Sequence, residues 1–312
     1  VRTLLQERAR LLQRCRAFFA DRNVIEADSP TLWPSTIPDP NIESFHLAEP
    51  LAFNPNGRAW FLQTSPEFAL KRLVAASGLD LYEIKHVFRN EPLSPTHHPE
   101  FLMAEWYRQG FDDHRLMREV ADLLQILLER PLPVEILSFN DAFVKHLNLN
   151  LKHASIAELS GLAQRHCHYH GPDHSKEVLT DLLMGAVIGP QLGREGICFI
   201  TDYPIAQAAL AKARAHDPTI AARFEAYYKG VELCNGFDEL TDSQTQRSRF
   251  IADNETRLTR QQPPIPLDEP FLHALDQLPA CAGVALGLDR VLQIKLQAER
   301  ITDVIPLHFK DL

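Results

Sequence analysis

Arg89 and Glu91 stand two residues apart, directly after an alternating run from Leu81 to Phe88. If the strand continues through them, they share one face. Phe101, Met103, Glu105 and Tyr107 share a face of the following strand by the same rule. One arginine, two carboxylates and two aromatics can therefore converge on one surface of a sheet. Arginine suits a phosphate, because its planar fork offers two donors and stays charged. By spacing alone, a solvated cross-strand ion pair between Arg89 and Glu91 fits at least as well.

Three other segments carry comparable chemistry. Glu232 and Glu239 flank Asn235-Gly236. Two carboxylates around a tight turn can hold Mg²⁺, which takes oxygen ligands and bridges phosphates; they can equally be two surface acids. Gly287-Leu288-Asp289-Arg290 joins an apolar run to a helical pattern, where glycine allows close backbone approach and a helix start favours anions. Thr64-Ser65-Pro66-Glu67 fits a capping box, in which Glu67 would satisfy a backbone donor. His166, Cys167, His168, His170 and His174 cluster, but their spacing matches no common zinc pattern, and a solvated helix end is the favoured reading. No Ser/His/Asp arrangement suggests a nucleophilic enzyme.

The elements that must position these residues read as follows. Leu4, Leu5, Leu11, Leu12, Cys15, Phe18 and Phe19 give an amphipathic helix over 3–20. Val24 to Ala27 is a short strand before Ser29-Pro30. Asn54-Pro55-Asn56-Gly57 predicts a hairpin over Leu51 to Leu62. Thr64 to Gly78 is a helix with Pro66 in its first turn and Gly78 as its stop. Leu81 to Glu91 and Phe101 to Arg108 are strands joined by a Pro- and His-rich loop, and Asp112 to Arg130 is a helix. Residues 131–193 read as a mostly helical insertion. Gly196 to Tyr203 and Phe224 to Leu233 are strands, Thr241 to Gln262 is a polar helix, and the strand Ala282 to Leu286 enters a helix at Gly287. Hairpin-linked strands with helices grouped elsewhere predict an α+β fold, an antiparallel sheet flanked by helices, as one catalytic domain over 1–312.

Bulk properties narrow the function classes. The chain has 312 residues, 45% hydrophobic, enough for a sizeable core. No apolar run is long enough to span a bilayer, so no membrane role is expected. Arg2, Glu7, Arg8 and Arg10 break any signal-peptide pattern. The five cysteines are scattered, odd in number and without a CxxC, which fits a reducing, cytoplasmic setting. A net charge of −9 weakens the case for a nucleic acid as main partner, since phosphate binding draws on a basic face.

Taken in order, Phe88-Arg89-Asn90-Glu91 with His97-His98-Pro99-Glu100-Phe101, Gly230 to Glu239, and Gly283 to Arg290 resemble the catalytic domain of class II aminoacyl-tRNA synthetases, nearest to the lysine enzymes. The likeness runs from the first helix past Arg290. It implies ATP as co-substrate with Mg²⁺, and attack of a carboxylate on ATP. On this resemblance Arg89 binds the α-phosphate, Phe101 stacks on adenine, Glu91 contacts the adenine edge, and Arg290 clamps the opposite side. Asn90, His97, His98, Leu233 and Gly287 complete the ATP site. Glu232 and Glu239 would hold metal, Glu232 chiefly. Glu239 and Tyr107 would face the substrate's ε-ammonium, Asn235 its carboxylate, and Glu67 its reacting-end amine, with Ser65, Pro66 and Ala285 lining the same pocket. The helix 3–20, its strand and Pro30 correspond to the homodimer interface.

Within this class the chain resembles the short lysyl-tRNA synthetase paralogues of the elongation factor P–(R)-β-lysine ligase family. The core begins almost at Val1, so no anticodon-binding domain is expected. Ala285 and Ser65 match these paralogues, where lysine enzymes usually have glycine and alanine. His98 departs from their usual asparagine. The resemblance implies activation of (R)-β-lysine and its transfer to a lysine ε-amine of elongation factor P, rather than to tRNA. A truncated enzyme activating α-lysine and a non-catalytic regulatory paralogue are the competing readings.

Overall fold

The computed structural model describes residues 1–47, 53–54 and 59–308. Its spine is a nine-stranded sheet built from β1 (Ile25–Glu26), β5 (Leu81–Phe88), β6 (Glu100–Gln109), β7 (Val134–Ser138), β8 (Ile197–Pro204), β9 (Ala213–Arg214), β10 (Asp217–Tyr228), β11 (Val231–Asp238) and β12 (Cys281–Gly287). The order across it is β1-β5-β6-β12-β11-β10-β8-β7, with β9 on β10. The interior pairings are antiparallel, and only the edge pairs β1–β5 and β7–β8 run parallel. A small second sheet joins β2 (Leu32–Trp33), β4 (Trp60–Leu62) and β3 (His46–Leu47). The expected antiparallel α+β architecture is what forms.

Strand alternation sorts the main sheet into a core face and a cleft face. Leu102, Ala104 and Trp106 of β6 and Ala282, Val284 and Leu286 of β12 sink into one apolar cluster. That cluster is closed by α1 (Arg2–Ala20), α3 (Asp113–Leu128) and α9 (Leu288–Leu296). Trp106 is wholly buried there, and its truncation to alanine would cost about 3–5 kcal/mol. The odd-numbered residues of β6 and β12 face the other way. On that side α2 (Glu67–Ser77), α7 (Ser243–Thr259) and α8 (Glu269–Leu275) form a second cluster around Phe68, Phe250 and Phe271. The helices α4 (Phe139–Leu147), α5 (Ile156–Cys167) and α6 (Lys176–Leu183) build a third.

Local signals placed most helix ends. Asp112 caps α3 by accepting from the Arg115 N–H, and Gly78 stops α2 at φ +65°. Ser155 and Glu158 form a full capping box on α5. Three expectations need correction. The capping box at Thr64–Glu67 does not form; α2 starts at Glu67, and only the Ser65 hydroxyl accepts its N–H. The strand expected over Phe224–Leu233 is two strands, because Lys229-Gly230 turns the chain with both φ angles positive. Arg89 and Glu91 lie beyond the end of β5, where a bond from the Glu91 N–H to the Arg89 carbonyl curls the chain. The segment 131–193 carries α4 to α6 and adds β7, which extends the main sheet beside β8. The hairpin expected over Leu51–Leu62 lies largely outside the described residues, which include Trp60–Leu62 of it as β4.

Candidate active site

The cleft face of the sheet floors a cavity of about 300 Å³. Register sets which residues meet there. One row across the sheet is Glu225, Asn235, Ala285 and Glu105; the next is Arg223, Phe237, Gly283 and Tyr107. Glu232 and Asn235 are three apart, so an unbroken strand would send them to opposite faces. A register shift opposite Ala226/Tyr227 changes the parity, and both line the cleft. Residues beyond the sheet complete the walls: Ser65 and Glu67 at the start of α2, and Arg89, Glu91, His97 and His98 from the loop between β5 and β6.

One end of the cleft gathers cations. The Arg290 guanidinium donates to the Glu232 carbonyl at 2.8 Å, to the Thr96 carbonyl at 3.3 Å and to His97 Nε2 at 2.9 Å. Burial, with the Arg290 charge beside it, holds His97 below its ordinary value, which keeps the ring neutral and able to accept that bond. Arg89 donates to the Thr64 carbonyl at 3.4 Å and lies 5.3 Å from the Phe101 ring centre. The Glu232 carboxylate, half-exposed, sits 3.7 Å from Arg290. Asp289 is tied down from two sides, accepting the Leu102 N–H at 2.7 Å and Arg8 from α1 at 2.5 Å. It thereby fixes the first turn of α9 that carries Arg290.

The other end gathers carboxylates. Glu67, Glu105 and Glu239 are all buried, with Tyr107 donating to Glu105 at 2.8 Å. Lys71, one turn along α2 from Glu67, places its ammonium 2.6 Å from Glu67 and 2.6 Å from Glu239. Burial opposes that charge, but the two carboxylates more than offset it, so Lys71 titrates above the ordinary lysine value. Burial pushes Glu239 up to about 8, with Lys71 pulling against it and Glu67 adding to it. Burial, reinforced by Glu67, raises Glu105 well above the carboxylate range. Glu239 Oε1 has no hydrogen-bond donor although it is buried, an acceptor aimed into the cleft. Gly283 makes the space for it: a Cβ there would lie 2.4 Å from Glu239 Oε1 and 2.3 Å from the Tyr107 ring.

Most of the expected residues converge. Ser65, Glu67, Arg89, Glu91, His97, His98, Phe101, Tyr107, Glu232, Leu233, Asn235, Glu239, Ala285, Gly287 and Arg290 all line the one cavity. Asn90 and Pro66 do not; Asn90 is exposed, with its N–H bonded to Glu43 at 2.8 Å, and Pro66 caps α2. His98 is buried with Nδ1 2.6 Å from the Glu100 carbonyl. The histidine cluster of the insertion stays apart: His168 ends α5 at φ +51°, and His174 meets Ser160. No group of three potential metal ligands occurs among the described residues.

Three residues of the site escaped the sequence reading. Lys71 was signalled by its four-residue spacing from Glu67, an ordinary surface-helix pattern. Arg223 and Glu225 repeat the Arg-x-Glu spacing on β10. Arg223 donates to Asn235 Oδ1 at 3.1 Å and to the Gln207 carbonyl at 2.7 Å, and pairs with Glu225 at 2.5 Å. It thus orients the side chain of Asn235 on the cleft floor.

Comparison with known proteins agrees with this geometry. The family model for class II tRNA synthetases (D, K and N) matches residues 1–309. The chain is 40% identical to the elongation factor P–(R)-β-lysine ligase of Haemophilus influenzae (strain PittGG), over 96% of this chain and 93% of that protein. It is also 40% identical to the ligase of the same name from Yersinia pestis (strain Pestoides F), with the same coverage. The chain belongs to the class II tRNA synthetase family of the D, K and N type.

Proposed function

We propose that this enzyme activates (R)-β-lysine with ATP and transfers it to the ε-amine of one lysine on elongation factor P. The observation that carries the proposal is the polarity of the cleft. Arg89 and Arg290 stand at one end with Glu91 and Glu232 beside them, and the buried Glu67, Glu105 and Glu239 gather at the other. A lysine carries one ammonium near its carboxylate and one at the far end of its chain, so its carboxylate can meet the arginines while its ammonium groups meet the buried acids. The names of the relatives support elongation factor P as the acceptor.

Two displacements follow. The substrate carboxylate oxygen attacks the α-phosphorus of ATP; the bond to the β-phosphate oxygen breaks and pyrophosphate leaves. The acceptor amine then attacks the acyl carbon, loses its proton, and the acyl–phosphate bond breaks to release AMP. Neither step asks for a protein nucleophile. Arg89 and Arg290 supply positive charge where the phosphate gains negative charge, pre-positioned by carbonyl and His97 contacts. Phe101 offers an aromatic face for adenine. Asn235, steadied by Arg223, orients the substrate carboxylate, and Glu67, Glu239 and Tyr107 receive the ammonium groups.

Mg²⁺, when bound, neutralises charge between the phosphates. Glu232 fits that task as a half-exposed carboxylate at the cationic end, whereas Glu239 lies beside Lys71 with the carboxylates of the other end. Ala285 lies in register between Asn235 and Glu105, where its methyl bears on the amine spacing that separates α- from β-lysine. The exposed Ile25 on edge strand β1, beside Pro30, suits a homodimer contact.

The test is transfer. Enzyme, ATP, Mg²⁺ and (R)-β-lysine are incubated with elongation factor P or with tRNA, and both acceptors are analysed by mass. A single lysyl-type adduct on elongation factor P supports the proposal. Charged tRNA with unmodified protein would replace it with the synthetase reading.

A further inference from the structure

We infer that Lys71 is a specificity-determining positioning residue, a built-in cation that fixes the two carboxylates receiving the substrate's ammonium groups. This inference rests on the proposed function of the same site. Its starting point is that Lys71 touches both partners at once. Its Nζ lies 2.6 Å from Glu67 Oε1 and 2.6 Å from Glu239 Oε2, and its side chain is 1% exposed. Glu67 comes from the first turn of α2, and Glu239 from the end of β11, on a different element. Without the ammonium between them, two buried like charges would repel and swing apart. Lys71 therefore acts as a spacer between the two ammonium-binding positions.

Charge balance points the same way. Glu67, Glu105 and Glu239 are three carboxylates at this end of the cleft, and Lys71 pairs with two of them; its ammonium is also 5.9 Å from the Tyr107 ring centre. Tyr107 already donates to Glu105, so Glu67 and Glu239, both touching Lys71, are the two acids left to meet the two ammonium groups of a diamino acid. A monoamine would leave one of these two buried carboxylates without a partner, which disfavours it. Lys71 reaches no reacting atom, so its part is played through Glu67 and Glu239. The missing side chain at Gly283 leaves the room that the Glu239 carboxylate occupies beside the Tyr107 ring.

The test uses Lys71→Met, which keeps the packing of the alkyl chain but removes the ammonium. ATP–pyrophosphate exchange is measured with (R)-β-lysine, α-lysine and a neutral amino acid, after wild-type rates establish which lysine is the substrate. The expected result is an amino-acid KM raised about 10-fold or more, a changed ratio between the two lysines, and an ATP KM within about two-fold of wild type. A fall in kcat shared by both lysines, with KM values and ratio unchanged, would make Lys71 a structural ion pair and overturn the inference. If Lys71→Met does not fold, Lys71→Ala is assayed with added propylammonium, which should restore the amino-acid KM; no restoration in a folded variant also overturns it. Failure of the proposed function would already show in the wild type, and failure of this inference only in the variants.

Discussion

The two ends of the cleft hold their charges in opposite ways. At the phosphate end each guanidinium rests on backbone carbonyls: Arg290 on Glu232 and Thr96, Arg89 on Thr64. Carbonyl oxygens hold an arginine in place without cancelling its charge, and the Glu232 carboxylate, 3.7 Å from Arg290, offsets only part of it, so the site meets ATP preformed. At the amine end the carboxylates are held by ionisable partners instead, Lys71 and Tyr107, and remain under-compensated. One end is built for orientation. The other is built around a missing charge, and selectivity follows from what must be supplied to complete it.

This contrast predicts different failures at the two ends. The largest effect belongs to Arg290→Ala, which should reduce pyrophosphate exchange about 10³-fold for every amino acid alike. A loss confined to lysine-type substrates would break the division of labour. Next, Glu239→Gln leaves Lys71 with one carboxylate and should raise the amino-acid KM about 100-fold while sparing the ATP KM; unchanged saturation by lysine would remove Glu239 from the amine site. Gly283→Ala pushes a methyl against Glu239 and Tyr107, and should weaken amino-acid binding by about 1–3 kcal/mol with nucleotide binding intact, as read by calorimetry with each ligand.

The smallest effect is on stability. Burial raises the Glu105 carboxyl in the folded chain, so the fold binds that proton more tightly than the unfolded chain does. Its stabilising share is complete at and below the ordinary carboxylate range and is lost as pH rises through the raised value. The Tm of the ligand-free enzyme should therefore fall on the way to alkaline pH, and Glu105→Gln should flatten that slope. An identical slope in the variant would show that other groups control it.

The same contrast marks what the sequence makes legible. The phosphate end is readable because its residues sit in contiguous segments, such as Phe88 to Glu91 and Gly287 to Arg290, whose local geometry is nearly self-contained. Even there the reading of Arg89 and Glu91 as strand residues fails, because the curl after Phe88 depends on one backbone bond. At the amine end, Glu67 and Lys71 look like a surface helix pair, and only tertiary packing buries them against Glu239. Glu232 and Asn235 are three apart, and a bulge set by pairing with β10 is needed to bring them to one face. Arg223 lies one residue before the strand read over Phe224 to Leu233, whereas β10 begins at Asp217. Helix ends were read best where a side chain or a glycine settles them within one turn, as at Asp112 and Gly78.

The central claim is that the acidic end selects an amino acid with two ammonium groups before the cationic end activates it. Amino-acid-dependent ATP–pyrophosphate exchange tests this most directly, comparing (R)-β-lysine, α-lysine and norleucine on the wild-type enzyme. The account predicts strong exchange with (R)-β-lysine, weaker exchange with α-lysine and none above background with norleucine. Exchange supported equally well by norleucine would contradict it.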